Sequence, residues 1–489
     1  MSIDAILDKA TIHKRRERLD LITSGLGLDG AYDATLDRIR GQGKVKSALG
    51  MAALMWISHS ERPMHIGELC DALAVQIGSK DMDYDNIPSE KALIASCLGL
   101  VTMGESSTVR LIHFTLQEYF NSHSEHFENP QSTMAEVCLT YLNFDSISAL
   151  SYSLDSAPLE TCLLQYASSY WGLYAKNGLT EGVESLALQL LGKFSRHISA
   201  KLLLIGGFGE WGGKWRHLEG FTGLHYAAYL GLDEIANALF EEAGFCGSDM
   251  ADGLGRTPLM WAAESGHGGT VKLLLGWKEV SPNKPDNRGQ TPLSGASWNG
   301  HEAVVKTLLD HDGVNPEKPN VYDQTPLFGA ARGGHEGAVK ILLGREDVNP
   351  NKPDNRGQTP LYCAARAGHE GVVKILLGHD DVNPEKPDVY GQTPLFGAAS
   401  NGHERVVEVL LGQDDVNPDK PNKYGQTPIF GAAWDGHEVV VNILLGHDDV
   451  NPRRPDKSGR TPLWWAAKSG HAGVVALLQP LESIASSAS

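Results

Sequence analysis

A chain of 489 residues is too long for one hydrophobic core and asks for roughly two to four folding units. With 41% apolar and 21% charged residues it is ordinary globular material, and a formal net charge of -18 argues against a broad nucleic-acid surface, which needs clustered lysine and arginine. The six cysteines, Cys70, Cys97, Cys138, Cys162, Cys246 and Cys363, form no CxxC pair and read as reduced, mostly buried thiols of an intracellular protein.

The amino terminus carries Asp4 and Asp8 where the apolar core of a secretory signal would begin. The longest uncharged apolar run, ALGMAALMWI at 48–57, is about half of the ~20 residues a membrane span needs. A soluble, cytoplasmic chain with no membrane partner is expected. Helical periodicity runs through 31–58, a second helix follows the Arg62-Pro63 break in IGELCDALAV at 66–75, and a third starts at Ser89. Two strand-like runs, GLVTM and TVRLIHF, are joined by Gly104-Glu105-Ser106-Ser107 and lead into the helix TLQEYF. Three helices and a two-stranded wing predict a winged helix over 31–125. Residues 1–125 hold 13 Lys and Arg against 17 Asp and Glu, and the wing has only Arg110 as a base, so DNA binding is not expected.

The words GLDGAYDATLDRI, MWISHSERPMHIGELCDALAV, ASCLGLV and VRLIHFTLQEYF resemble the segment after the nucleotide-binding core in fungal NACHT-ankyrin proteins. Those are NLR-like signal-transducing NTPases whose winged helix is also described as the type beside GPI inositol-deacylase domains. The resemblance implies that residues 1–30 are a helical remnant of a NACHT-type lid. It also implies that His113, in IHFTLQEYF, closes on the β-phosphate of ADP when a NACHT domain is present; the alternative is a packed histidine at a strand end.

A helical region is expected over 126–216, with Trp171, Trp211 and Trp215 sealing a junction to the carboxyl-terminal half of the chain. No GxxxxGK[ST] phosphate loop occurs. GQGKVKS at 41–47 reads as helix interior, and IGGFGEWGGKW places Trp215 where a hydroxyl is needed. The GxGxxG match at 25–30 follows a charged helix and not a strand, the one at 207–212 follows the apolar run LLLI but Thr222 opens the next unit too soon for a βαβ unit, and a GxSxG elbow is absent. The expectation is a protein with no catalytic site, cofactor or metal.

From residue 217 a unit repeats every 34 residues, opened by Thr257, Thr291, Thr325, Thr359, Thr393, Thr427 and Thr461, with a weaker copy at Thr222. Thr-Pro opens a helix because the hydroxyl caps free N–H groups and proline at the first position loses no bond. In the copy at Thr325, Leu327, Phe328, Ala330 and Ala331 lie on a short helix that Gly334 ends. Val339, Ile341, Leu342 and Leu343 lie on a second, antiparallel helix, and DVNPNKPDNRGQ at 347–358 is an extended stretch with a turn. One such unit cannot bury its apolar face alone, so copies must stack. The motif and spacing resemble ankyrin repeats over 217–480, about eight copies, which predicts a predominantly α protein: a winged-helix and helical amino-terminal region followed by an ankyrin solenoid. A frayed tail is expected over 481–489.

The usual histidine after Thr-Pro-Leu is replaced by Met260, Ser294, Phe328, Tyr362, Phe396, Phe430 or Trp464, and the next residue is often glycine (Gly295, Gly329, Gly397, Gly431). The preceding aromatic is expected to fill the volume that glycine leaves. The histidines of the Gly-His pairs, spaced one stacked helix apart, cannot share metal ions and are expected to bond backbone at the turn. The ankyrin resemblance implies a concave face of hairpin tips and first-helix ends. Those positions hold Arg288, Tyr322, Arg356, Tyr390 and Tyr424 at the tips and Trp298, Arg332, Arg366 and Trp434 at the helix ends, types enriched at binding hot spots. Two readings remain open: a non-catalytic protein that binds a protein partner on this face, or the carboxyl half of a NACHT-type ATP/ADP switch.

Overall fold

The computed structural model describes residues 28–104, 106–150, 161–200, 202, 220–243 and 249–486. The chain separates into two compact units, Met1–Gly244 and Phe245–Ser489.

The first unit opens with α1 (Leu28–Arg40) and α2 (Lys44–His59). The continuous periodicity of 31–58 is interrupted at Gly41-Gln42-Gly43, because glycine is a poor helix former and Gly43 takes an extended conformation. GQGKVKS is therefore a helix break and start, not a helix interior. After β1 (Met64–His65), α3 (Ile66–Ala74) begins where Glu68 accepts the His65 N–H at 2.8 Å while Arg62 holds the same carboxylate. Ser89 caps α4 (Glu90–Ser96) by accepting from the Ala92 N–H. Strands β2 (Val101–Met103) and β3 (Thr108–Leu111) form the wing, but β1 joins them in an antiparallel sheet of order β1-β3-β2. A two-residue strand has too little pattern to be seen as alternation, which is why the sequence suggests only two strands. Helix α5 (Phe114–Ser122) comes next.

Helices α6 (Pro130–Leu142), α7 (Asp145–Ser148), α8 (Cys162–Asn177) and α9 (Glu181–Leu191) continue the unit, which ends with the weak repeat copy, α10 (Gly223–Leu230) and α11 (Asp233–Ala243). Trp171 is fully buried, with its ring centroid 5.4 Å from that of Tyr226 in α10. A side chain at Gly172 would collide with Leu230, so α8 and α10 pack backbone to side chain. Trp211, Trp215 and Cys246 lie outside the described residues. Cys70, Cys97, Cys138 and Cys363 are buried cysteines, and Cys162 is an exposed one.

In the second unit the copy at Thr325 stands for the rest. Thr325 Oγ1 accepts the Phe328 N–H at 3.2 Å, and the first helix spans Pro326–Gly333. Gly334 (φ +79°) makes the left-handed exit, and the second helix spans Glu336–Leu343. The paired alanines Ala330 and Ala331 are completely buried. In the turn that leads to the next copy, the Asp354 carboxylate accepts the N–H groups of Arg356 and Gln358, each at 2.9 Å. Such turns are bonded to one another: Val321 N–H donates to Arg288 O, Asn355 to Tyr322, Val389 to Arg356, Lys423 to Tyr390 and Lys457 to Tyr424, at 2.8 to 3.0 Å.

The histidines of the Gly-His pairs from His301 on bond backbone, but in the preceding copy: Nε2 of His335, His369, His403 and His471 reaches the carbonyl of Trp298, Arg332, Arg366 and Trp434 at 2.8 to 3.0 Å. A carbonyl only accepts, so Nε2 carries the proton. The volume in front of the helical glycines is also filled from the preceding copy, not by the aromatic beside them. A β-carbon at Gly329 would sit 3.2 Å from the Trp298 ring and one at Gly431 would collide with Oγ of Ser400, so at these two the neighbouring first helix comes too close for a side chain, whereas at Gly397 the Tyr362 ring, 3.5 Å away, is at ordinary contact distance. The last helix, Ala472–Ser486, contains Pro480. The tail expected to fray from 481 is thus helical to Ser486, its Leu481, Glu482 and Ala485 being good helix formers.

Candidate partner-binding face

All nine residues singled out at tips and helix ends are exposed. The tip tyrosines Tyr322, Tyr390 and Tyr424 are 51%, 50% and 54% accessible, so half of each ring faces solvent. Their carbonyls, with those of Arg288 and Arg356, accept the tip-to-tip bonds, which fixes one such side chain per copy along a common edge. The helix-end residues form a parallel row. Arg332 lies over the Trp298 ring at 5.4 Å, and Trp434 stacks on Trp465 at 3.8 Å with the planes 10° apart.

Positions three, four and seven after each Thr share one side of a short helix, and the terminal copies show that the residue before Thr joins them. In the last copy Arg460 lies 4.6 Å and Lys468 4.8 Å from the Trp465 ring centroid, with Trp464 against them. In the copy at Thr257, Arg256 lies 3.7 Å over Trp261 and pairs with Glu264, whose carboxyl burial pushes up and Arg256 pulls down. In the middle of the row, Tyr362 donates its hydroxyl to Gln392 at 3.0 Å. Beside it, burial raises the Cys363 thiol to about 12, so it is an unreactive part of the packing. Reasoning from hot-spot residue types missed Lys468, which the 34-residue register places on the helix-end row, and Lys423 and Lys457, which stand one residue before the tip row.

His113 caps α5: its Nδ1 accepts the Thr115 N–H at 3.3 Å, and its ring lies against Phe114 at 4.4 Å. It is exposed between the exposed Ile112 and Phe114, so the alternative of a packed strand-end histidine is corrected. The ring is held at the helix start by Thr115, whose N–H and hydroxyl both meet Nδ1. Among the described residues no group of three or more His, Cys, Asp or Glu is arranged to hold a metal ion, and no helix is long and apolar enough to cross a membrane.

The matching family models agree with this architecture. The family described as "Ankyrin repeats (3 copies)" matches 186–286, 224–323, 275–354, 327–420 and 414–484, which together span more than half of the chain. "GPI inositol-deacylase, winged helix domain" matches 36–136. Among solved structures, the ankyrin repeat domain of human ASB11 is 27% identical, covering 45% of this chain and 97% of that one with a TM-score of 0.40. No curated protein matches the chain. On the extent of the repeat match, the chain belongs to the ankyrin-repeat family.

Proposed function

We propose that the chain is a non-catalytic interaction protein that grips a protein partner on the face made by its tips and first-helix ends, within NLR-like signalling or scaffolding in the cytoplasm. Ankyrin repeats are typically protein-interaction modules, and the observation that carries the reading here is the row of half-exposed tip tyrosines. Such rings are tied by backbone at one end and free at the other, so they bring large contact area at low entropic cost. The test is a photocrosslinking amino acid placed at Tyr390, on the face, or at Asp380, after a second helix. An adduct with a retained protein is expected from position 390; adducts from position 380 alone would refute the assignment.

A second reading rests on the GPI inositol-deacylase-type winged helix and the exposed His113. In it, the winged helix serves an ATP/ADP switch and His113 meets a β-phosphate supplied by a nucleotide-binding domain. Calorimetry with ADP on this chain alone is expected to give no heat of binding, and measurable binding would overturn the view that the pocket is not contained in it.

A further inference from the structure

We infer that the outer side of the last repeat copy is the seat of a second molecule of this same chain, the two last copies packing back to back about a two-fold axis. This surface is separate from the tips, and the inference goes beyond the partner-binding reading.

The carrying observation is that the last copy leaves open what the inner copies cover. Phe328, Tyr362, Phe396 and Phe430, third after Thr, are buried, as are Ala331, Ala365, Ala399 and Ala433, sixth after it, and Val339, Val373, Val407 and Val441 of the second helices. At the same positions of the last copy Trp464 is 43% accessible, Ala467 is exposed and Val475 is half-buried. Leu463 is half-buried too, where Leu327, Leu361 and Leu395 are buried. The exit glycines repeat the contrast: the His471 ring lies against Gly436, and nothing lies within 4 Å of a β-carbon placed on Gly470. A terminal copy stays soluble alone by carrying a polar outer face. Here that face is an indole, aliphatic side chains and an alanine, which gain by leaving water.

The occupant follows from which faces are left. A copy meets its predecessor through the fourth residue after Thr: Trp465 stacks on Trp434, and Gly431 lies before the Phe396 ring. In the copies at Thr222 and Thr257 that residue is Tyr226 and Trp261, both buried, and the Phe194 ring covers Tyr226 at 4.9 Å. A second molecule therefore has no free front to continue the stack head to tail. Back-to-back pairing remains, and the outer side of the last copy is self-complementary. The Trp464 ring stands out from the helix Pro462–Ser469, and Ala467, one turn further along it, leaves a hollow. An axis between the two seats each ring on the other molecule's alanine, in both directions at once. The two helices then run antiparallel, so the carbonyl end of each lies beside the N–H end of the other, and the two Lys468 side chains stand at opposite ends. Lys468 holds its Nζ 4.9 Å from the Trp464 centroid, so its aliphatic stem widens the apolar surface. The seat has fewer residues than the ~20 a side of a standard interface, which makes the dimer weak and concentration-dependent.

The experiment is sedimentation equilibrium of the full chain from about 1 to about 500 μM, the range suited to a small interface. The average mass is expected to rise from one chain to two and to stop there. Ala467→Glu puts a carboxylate in the hollow and should weaken the dimer by about tenfold or more; because Ala467 is exposed, the melting temperature should stay where it was. Trp464→Ala should weaken the dimer to a similar degree and decides the matter if Ala467→Glu melts early. Tyr390→Ala, on the tips, should leave it intact. A single chain at every concentration, growth beyond two chains, or equal dimerisation of the parent and both variants overturns the inference. Loss of the dimer in Tyr390→Ala with Ala467→Glu unaffected overturns it too and moves self-association to the tips. Crosslinking from position 390 to a different protein tests the partner face separately, so each result stands without the other.

Discussion

The two units hold themselves together over different distances along the chain. In the first, Tyr32 and Thr115 share a hydrogen bond of 2.7 Å across 83 residues, Gln117 reaches the Ser58 carbonyl across 59, and the Glu61 N–H donates to the Tyr174 hydroxyl across 113. Tyr119 donates to Asp33 across 86 residues. In the second, the bonds between copies recur at fixed separations: 37 residues for His369 to Arg332, 35 for Lys386 to Asn351 and 32 for Asn383 to Asn351. The first is tied by bonds of many different, long separations. The second is a sum of nearest-neighbour terms, as in any stacked repeat.

The largest expected effects test that contrast directly. Trp56→Ala and Phe396→Ala each remove a buried aromatic, and each should cost about 3–5 kcal/mol locally. The first should lower amide hydrogen-exchange protection throughout the first unit. The second should lower it in the copies beside residue 396 and leave those at Thr257 and Thr291 protected. Uniform loss across the array from Phe396→Ala would erase the distinction.

Acid should next find the first unit through His197. Burial drives this imidazole down to about 4 from its ordinary 6.5, so the folded ring stays neutral where the unfolded one gains a proton. Stability is therefore full above pH 6.5 and falls as the pH drops towards about 4, by ~3 kcal/mol in all. His59 and His126, also lowered by burial, act in the same direction, whereas the buried Asp71 carboxyl, raised, acts against them. His197→Gln isolates the histidine: urea midpoints at pH 7 and pH 4.5 should draw closer together than in the parent chain, and an unchanged gap would remove His197 from the account.

The smallest effect sharpens the nearest-neighbour idea. Gly436 and Gly470 have φ of +83° and +80°, so alanine at either strains the backbone by roughly 1–2 kcal/mol. A β-carbon at Gly436 would also lie 2.5 Å from Nδ1 of His471, whereas at Gly470 nothing lies within 4 Å. Gly436→Ala should cost about 1–3 kcal/mol more, the worth of displacing the histidine and its bond. Equal losses in thermal melts would mean that the copies do not lean on each other at this point.

The parts of the molecule that could be read from sequence are those written within one 34-residue unit. Thr-Pro, Gly-His and the Asx turn specify their helices and turns locally, and so the repeat count and the tip and helix-end positions emerge from spacing alone. Relations between units escaped. His369 looks identical whether its ring bonds its own turn or Arg332 of the copy before, and Gly431 gives no sign that the Phe396 ring lies in front of it. Charge pairing is of the same kind: Lys420 and Lys423 differ by three residues in sequence, yet only the first meets a carboxylate among the described residues. The winged helix hid its third strand because two residues carry no periodicity, and the position of His113 at the start of α5 depends on where that helix begins.

The tip-to-tip bonds have a consequence for how the gene can change. Each copy offers one carbonyl to an N–H of its successor and donates one N–H to a carbonyl of its predecessor, so a block such as residues 359–392 presents the same two ends as the block before it. Duplicating or excising a whole block in frame leaves every junction chemically familiar, while an insertion of any other length severs the seam. The array can therefore lengthen or shorten in steps of 34 residues, moving side chains such as Arg366 and Tyr390 in or out of the row without redesigning what holds it up.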